Sequence, residues 1–254
     1  MIPGCLGTVY ALAYQSLRLR VVSGNPYGSG DAMATSGKAV KAMLGLTAAV
    51  VFIALALQFY LSLRLAEANG KTLGYGVVLY LGFFTITTNF LVLFASASPL
   101  IAPASSMGRF FVRPVAIGWV AASIAFVSVA YFLLLRHVWK PQGLQLIADV
   151  LLHYVVPLLY VLFSFIALRG TRLRWASPFR WSLYPLIYFV YAMIRGAMID
   201  AYPYGFIDAS VLGYATTLRN AVFLLIAFLV LAYLLILLWR VGAKPISQSD
   251  KTLL

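Results

Sequence analysis

The sequence predicts an all-α polytopic membrane protein, a six-transmembrane-helix bundle with both termini in the cytoplasm. Of the 254 residues, 63% are hydrophobic and only 10% are charged, and the mean hydropathy is +0.94. Soluble domains are about 45–50% apolar and about 25% charged, so this composition excludes a soluble globular protein. The apolar stretches are long and continuous, which predicts spanning helices rather than the short alternating strands of a transmembrane barrel.

Six apolar segments follow residue 42, and the connections between them carry charged or turn-forming residues. The predicted spans are 43–66, 73–102, 114–136, 143–168, 179–200 and 218–240. They nearly exhaust the chain, because each spanning helix needs about 20 apolar residues. The sequence therefore predicts one transmembrane domain at 43–240. An N-terminal cytoplasmic segment at 1–42, either partly disordered or interfacial, precedes it, and a cytoplasmic tail at 241–254 follows it.

The basic residues predict the orientation of the bundle. Of the 19 lysines and arginines, 13 fall on the side of the N-terminus and 6 on the opposite side. Basic loop residues favour the cytoplasm, so we expect an integral membrane protein with both termini inside. The net charge of +13 then sets topology and contacts anionic lipid. The loops are too short for a nucleic-acid surface, and we expect no nucleic-acid partner.

The sequence favours neither a metal centre nor a cofactor. One cysteine and two histidines are too few for a CxxC motif, a multi-histidine metal site or a haem ligated from several helices. No P-loop, dinucleotide fingerprint or nucleophile-elbow motif occurs in a supporting context. Candidate functional residues are therefore the polar side chains within the spans, where ionisable groups are costly.

The second predicted span carries one polar face. Thr85, Thr88 and Asn89 lie at positions i, i+3 and i+4 and share one side of a helix. One interpretation is that these side chains only hold helices together through interhelical hydrogen bonds. The other is that one of the hydroxyls is reactive.

The fourth predicted span carries a carboxylate and an imidazole. Asp149 and His153 are one turn apart on one face, so the acid can hold the imidazole in one tautomer and stabilise its charged form. Pro157 removes the N–H that would bond the carbonyl of His153, which predicts a polar pocket at this depth. Counted at about 1.5 Å per residue from the span ends, His153 and Thr85 lie at similar depths.

The fifth predicted span carries an aromatic stripe that ends in an arginine. Tyr184, Tyr188, Tyr191 and Arg195 lie at i, i+4, i+7 and i+11 and share one face. For any single tyrosine, ordinary packing is the simpler interpretation. Arg195 lies in the outer half of the bilayer and is predicted to pair with a carboxylate, either Asp149 or Asp200.

Three stretches of the chain resemble a known family of bacterial six-span membrane proteins: Phe84-Thr85-Ile86-Thr87-Thr88-Asn89, His153-Tyr154-Val155-Val156-Pro157, and Tyr184-Pro185 through Tyr191 and Arg195-Gly196 to Tyr202-Pro203-Tyr204. These proteins are in turn similar to the animal androgen-induced and androgen-dependent transmembrane hydrolases. The resemblance covers about residues 43–240 and implies an integral protein of the bacterial inner (plasma) membrane. It implies a six-helix hydrolase of lipid esters, such as fatty acid esters of hydroxy fatty acids. Matched residue by residue, it places a threonine nucleophile at Thr85 and a histidine base at His153.

Under this hypothesis the neighbouring polar groups have supporting roles. Asp149 orients and charges the histidine, while Asn89, Thr88 or a tyrosine hydroxyl such as that of Tyr191 donates to the oxyanion. Arg195 binds a carboxylate of the lipid, together with the Tyr184 and Tyr188 side chains of the same stripe. The expected partners are membrane lipids and the lipid ester substrate.

The rival hypothesis is a non-catalytic protein that binds lipid or a small molecule, or a transporter. Asp149, His153 and Arg195 would then form one buried proton-linked or anion-binding network. Geometry discriminates the two, because catalysis requires the Thr85 hydroxyl within hydrogen-bond reach of a His153 nitrogen.

Overall fold

A computed structural model describes the backbone of residues 30–241 and the side chains of residues 37–241. Within this part the chain is helical and has no strand. Six helices are long and apolar enough to cross a membrane: Gly37–Ala68, Phe84–Ile101, Pro114–Leu135, Leu144–Leu168, Ser177–Ile199 and Ala209–Arg240. They confirm the predicted all-α six-helix bundle. The predictions for residues 1–29 and 242–254 lie outside the described residues.

The described chain contains ten α-helices. In order, they are α1 (Gly30–Ala68), α2 (Leu73–Leu81), α3 (Phe84–Ile101), α4 (Ser106–Phe111), α5 (Pro114–Ala130), α6 (Leu144–Val150), α7 (Val156–Leu168), α8 (Ser177–Trp181), α9 (Leu183–Ile199) and α10 (Ala209–Arg240). Two π-helical turns extend this set: Tyr131–Leu135 continues α5, and Leu151–Val155 joins α6 to α7. A short 3₁₀ turn at Gly205–Ile207 precedes α10.

The first helix begins before residue 43, where the first apolar segment was predicted to start. Helix α1 starts at Gly30, and its membrane-length part starts at Gly37. Lys38 and Lys41 lie on this helix. Lysine and alanine are good helix formers, so the helix continues past the end of the apolar run. The start of the transmembrane domain at residue 43 stays a prediction.

The span predicted as one helix at 73–102 is broken in two. Helix α2 ends at Leu81, and Phe83 is extended (φ −89°, ψ 134°) before α3 begins. At this break the Arg195 guanidinium packs on Gly82, where a Cβ would lie 2.5 Å from Cζ of Arg195. Glycine leaves this space open.

The sixth span begins earlier than the predicted residue 218. Helix α10 starts at Ala209, and the Asp208 carboxylate caps it by accepting from the N–H groups of Ser210 and Val211 at 3.0 and 3.3 Å. Gly213 interrupts the helix with a positive φ of 72°. Polar residues in this first part concealed the helix from an apolar-run criterion.

The third span lies at the centre of the bundle and packs against the second, fourth and sixth spans. Four consecutive small side chains, those of Val120, Ala121, Ala122 and Ser123, are fully buried, so this helix is covered on all sides here. Small residues let helices approach closely within a membrane. The second and fourth spans are thereby brought into contact at the turn Leu151–Val155.

Candidate active site

The hydroxyl of Thr85 and the imidazole of His153 meet where the second and fourth spans touch. Thr85 Oγ1 lies 3.2 Å from His153 Nε2, which confirms the separation that a catalytic interpretation requires. Thr85 is 8% exposed and the His153 side chain is 12% exposed. The pair therefore lies inside the bundle, where few waters compete for the hydrogen bond.

The other nitrogen of His153 faces Asp149. Nδ1 is 3.3 Å from the Asp149 carboxylate oxygen Oδ1 and 3.0 Å from the Asp149 main-chain oxygen. Two oxygens around Nδ1 favour the tautomer that carries its proton there. Nε2 is then left as an acceptor for the Thr85 hydroxyl proton. Carboxylate, imidazole and hydroxyl thus stand in the order of a catalytic triad.

Tyr131 supports this pair from the third span. Its hydroxyl donates to Oδ2 of Asp149 at 2.5 Å, and its ring stacks on the His153 imidazole with centroids 3.9 Å apart and an angle of 18°. Sequence analysis missed Tyr131, because no spacing within the third span places it opposite Asp149.

Both Tyr131 and His153 lie in π-helical turns. Such turns occur frequently at functional sites. In the fourth span the wider turn precedes Pro157, and the Val156 N–H donates to the Leu151 carbonyl five residues earlier. His153 thus lies in this turn, four residues before Pro157, and the polar pocket predicted at this depth stays a prediction.

Thr85 is the second residue of α3, whose start has no side-chain cap. Its N–H donates to the hydroxyl oxygen of Tyr204 at 3.3 Å. The same Tyr204 oxygen is 3.5 Å from Thr85 Oγ1. The positive end of the α3 dipole and a tyrosine hydroxyl therefore border the Thr85 hydroxyl. Groups of this kind stabilise the negative charge that develops when a hydroxyl attacks a carbonyl.

Tyr204 comes from the loop between the fifth and sixth spans. Burial raises the pKa of its phenol above the usual 10.0, so the hydroxyl keeps its proton at neutral pH and can donate. The loop folds back because Gly196 leaves room for the ring of Tyr202, which a Cβ would approach to 2.3 Å. Tyr204 appeared in sequence only within a resembling motif, with no role assigned to it.

Thr88 and Asn89 position the second span. Both are fully buried. The Thr88 hydroxyl shares a 3.0 Å hydrogen bond with that of Tyr184. Asn89 Nδ2 donates to the carbonyls of Thr85 at 2.8 Å and Leu152 at 3.4 Å. Because these carbonyls occupy its amide, the geometry favours a positioning role for Asn89 over that of an oxyanion donor.

The tyrosine stripe of the fifth span faces the break in the second span. The Tyr188 hydroxyl donates to the Gly82 carbonyl at 2.8 Å, and the Tyr191 hydroxyl donates to the Leu81 carbonyl at 3.4 Å. A broken helix leaves such carbonyls without intrahelical partners. The stripe therefore stabilises the break, and the Tyr191 hydroxyl is engaged away from Thr85.

The prediction that Arg195 pairs with a carboxylate is wrong. Its Nε donates to the Val78 carbonyl at 3.1 Å and its Nη1 to the Ala201 carbonyl at 2.9 Å. Among the described residues, the ion pairs do not join Arg195 to Asp149 or Asp200. The Val78 carbonyl in the last turn of α2 carries partial negative charge. Together with the Ala201 carbonyl, which follows α9, it takes the place of the carboxylate. The predicted Asp149–His153–Arg195 network is therefore not formed.

A cavity of about 160 Å³ lies beside Thr85, between the third, fifth and sixth spans and the loop before α10. Its rim includes Leu186, Leu218 and Val222, which are 42%, 59% and 48% exposed on the outer side of the bundle. None of the described side chains that line it is charged, and only four carry a polar atom: Thr85, Tyr131, Tyr188 and Tyr204. The nucleophile candidate thus faces an apolar cavity.

No family model, curated protein or solved structure matches the chain. Among the described residues there is also no group of three or more His, Cys, Asp or Glu side chains placed to hold a metal ion.

Proposed function

We propose that this integral membrane protein is an intramembrane hydrolase of lipid esters with Thr85 as nucleophile and His153 as general base. The observation that carries the proposal is the 3.2 Å separation of Thr85 Oγ1 and His153 Nε2, with Asp149 Oδ1 3.3 Å from the other nitrogen. A hydroxyl is a weak nucleophile until an adjacent base, itself oriented by a third group, accepts its proton.

In the first half of the reaction, His153 Nε2 accepts the hydroxyl proton as Thr85 Oγ1 attacks the ester carbonyl carbon. The Tyr204 hydroxyl and the N-terminal end of α3 stabilise the charge on the carbonyl oxygen. The bond between the carbonyl carbon and the alcohol oxygen then breaks, and His153 returns the proton to that oxygen. The products are a free alcohol and an acyl-threonine.

In the second half, water attacks the acyl carbon and gives its proton to His153. The bond to Thr85 Oγ1 breaks, the threonine oxygen recovers a proton, and a carboxylic acid is released. Asp149 stabilises the imidazolium in both halves. Tyr131 holds the Asp149 carboxylate in place through its 2.5 Å hydrogen bond.

The surroundings of Thr85 favour a lipid substrate. The cavity beside it is apolar and its rim includes side chains exposed on the flank of the bundle, so an ester can arrive laterally from the bilayer. The resemblance of the sequence suggests fatty acid esters of hydroxy fatty acids as one member of this class. We place both termini in the cytoplasm of a bacterial cell, because 13 of the 19 basic residues fall on their side.

The rival function, binding or transport, is less well supported. It depended on a network that joins Arg195 to Asp149 and His153, whereas the Arg195 donors go to main-chain carbonyls. A purely structural role for Thr85 would also not account for the alignment of His153 and Asp149 behind its hydroxyl.

The test is covalent labelling of the protein, purified in detergent, with a fluorophosphonate probe that reacts with activated hydroxyls. We expect the probe to attach to wild type at Thr85 and not to Thr85→Ala or His153→Ala. Turnover of lipid esters should fall by about 10⁴- to 10⁶-fold in both variants. Thr85→Ser should keep measurable labelling because it keeps the hydroxyl.

Two matched controls separate chemistry from folding. Thr47→Ala removes a fully buried threonine whose hydroxyl bonds only within its own helix, to the Met43 carbonyl at 2.8 Å. His137→Ala removes an exposed histidine. Both should be labelled like wild type. Labelling that persists in Thr85→Ala, or a folded wild type that neither reacts nor turns over any lipid ester, would contradict the proposal.

A further inference from the structure

We propose that the cavity beside Thr85 binds the acyl chain of the ester and encloses about its first six carbons. This inference rests on the proposed function and narrows it to a substrate class, esters of acids whose chain is linear and uncharged next to the carbonyl.

The chemistry of the cavity wall favours an apolar chain as its ligand. No charged side chain lines it, and the hydroxyls of Tyr188 and Tyr131 are already bonded to the Gly82 carbonyl and the Asp149 carboxylate. The other two polar groups, Thr85 and Tyr204, lie at the reacting end. A carboxylate or phosphate would find no partner deeper in the cavity, whereas an apolar chain needs none.

The position of His153 assigns the cavity to the acyl part of the ester rather than to the alcohol. The histidine has to protonate the leaving alcohol, so the alcohol part of the ester must lie on its side of Thr85. His153 is 3.2 Å from Thr85 Oγ1 but does not line the cavity. The cavity therefore receives the acyl part, which stays on the threonine after the alcohol has left.

The size of the cavity limits how many carbons of the chain it encloses. Its volume is about 160 Å³, and an apolar protein cavity of about 150 Å³ holds benzene, which has six carbons. A longer chain would continue past Leu218 and Val222, which are 59% and 48% exposed, into the surrounding lipid. The affinity for the chain should therefore increase with each of the first carbons and be unaffected by later ones.

The experiment uses alkyl fluorophosphonates, from methyl to dodecyl, whose alkyl group stands in the place of the acyl chain. In wild type, the labelling rate should rise with each carbon up to about six and then level off. Ala221 lines the cavity, and Ala221→Trp would fill it. We expect the ratio of hexyl to methyl labelling to fall at least about tenfold in this variant, since each buried methylene is worth about fourfold in affinity.

A matched control removes the effect of detergent partitioning. Ala227 lies on the same helix, is exposed and does not line the cavity, so Ala227→Trp should keep the wild-type hexyl-to-methyl ratio. If Ala221→Trp does not fold, Ala221→Leu decides, with an expected intermediate ratio.

The possible outcomes separate the two proposals. Absence of labelling with every probe would overturn the proposed function. Labelling of wild type with the same hexyl-to-methyl ratio in Ala221→Trp or Ala221→Leu would overturn the acyl-chain assignment alone. Acetate esters of alcohols of increasing length supply the last check, because an Ala221→Trp effect that followed the length of the alcohol would place the alcohol in the cavity.

Discussion

Two buried charged groups in neighbouring spans have opposite kinds of partner. Asp149 in the fourth span is 4% exposed and Arg195 in the fifth is 6% exposed. Asp149 faces the imidazole of His153, a side chain that can gain and lose a proton. Arg195 donates to the main-chain carbonyls of Val78 and Ala201, which cannot. The first environment suits proton transfer, and the second suits a fixed architecture.

The two regions meet at the break in the second span. The Arg195 guanidinium packs on Gly82, two residues before α3 begins. This break places Thr85 at a helix start, with its N–H directed at Tyr204. A buried charge can therefore build a site without entering its chemistry, and substitutions in each region should give different losses.

The largest effect is expected from Asp149→Asn, which keeps the size of the side chain and removes its charge. Asparagine cannot stabilise the imidazolium or hold the Nδ1 proton in the same way, so ester turnover should fall about 10⁴-fold. The midpoint of thermal unfolding should change little, because Tyr131 can still donate to the amide oxygen. Turnover and tryptophan fluorescence on heating in detergent measure the two quantities.

The control for this substitution is Asp200→Asn. Asp200 is exposed and adopts a left-handed conformation with φ 49°, which asparagine readily adopts. Wild-type turnover is expected. If Asp149→Asn turned over ester as fast as this control, the carboxylate would have no part in activating His153.

An intermediate effect is expected from Tyr204→Phe, at the junction of the two regions. Loss of one oxyanion donor typically lowers the rate about 10²- to 10³-fold. Burial raises the pKa of Tyr204, so its hydroxyl donates throughout the neutral range, and the loss should be similar from pH 6 to pH 8. Single-turnover kinetics with a lipid ester measure it. Tyr214→Phe, at an exposed tyrosine, is the control, and equal rates for the two variants would remove Tyr204 from the mechanism.

The smallest effect on turnover, but the largest on stability, is expected from Arg195→Gln. Two charge-assisted hydrogen bonds to the Val78 and Ala201 carbonyls are lost, which should lower the free energy of unfolding by about 2–4 kcal/mol. Turnover per folded molecule should fall less than in Tyr204→Phe, because the guanidinium only supports the break. Arg64→Gln breaks an exposed ion pair with Glu67 and should cost at most about 1 kcal/mol. If Arg195→Gln were fully stable but did not turn over ester, Arg195 would act in the chemistry rather than in the fold.

Much of the fold was predictable because the free energy of transferring a helix into lipid is a sum over residues that are neighbours in sequence. Each apolar run of about 20 residues predicted a span, and all six occur. The same local rule could not find the break after α2, since the Arg195 guanidinium that packs there on Gly82 comes from more than a hundred positions later. It also missed the start of α10, where the Asp208 cap and polar residues replace the apolar signal.

The candidate site was likewise predictable from the sequence only in part. Thr85, Asp149 and His153 were visible in sequence, because a polar group within an apolar run is costly and stands out. Tyr131 and Tyr204 were not, since a tyrosine near a span end is common and only the packing of spans places one against Asp149 and the other against Thr85.

By itself, the sequence determined that the chain has six membrane-spanning helices and which polar groups lie within them. Tertiary structure alone decided which of these groups meet, that Arg195 bonds to carbonyls rather than to a carboxylate, and that Thr85 faces an apolar cavity. The physical reason is that burial of apolar residues is summed along the chain, whereas hydrogen-bond partners and cavity walls come from residues far apart in sequence.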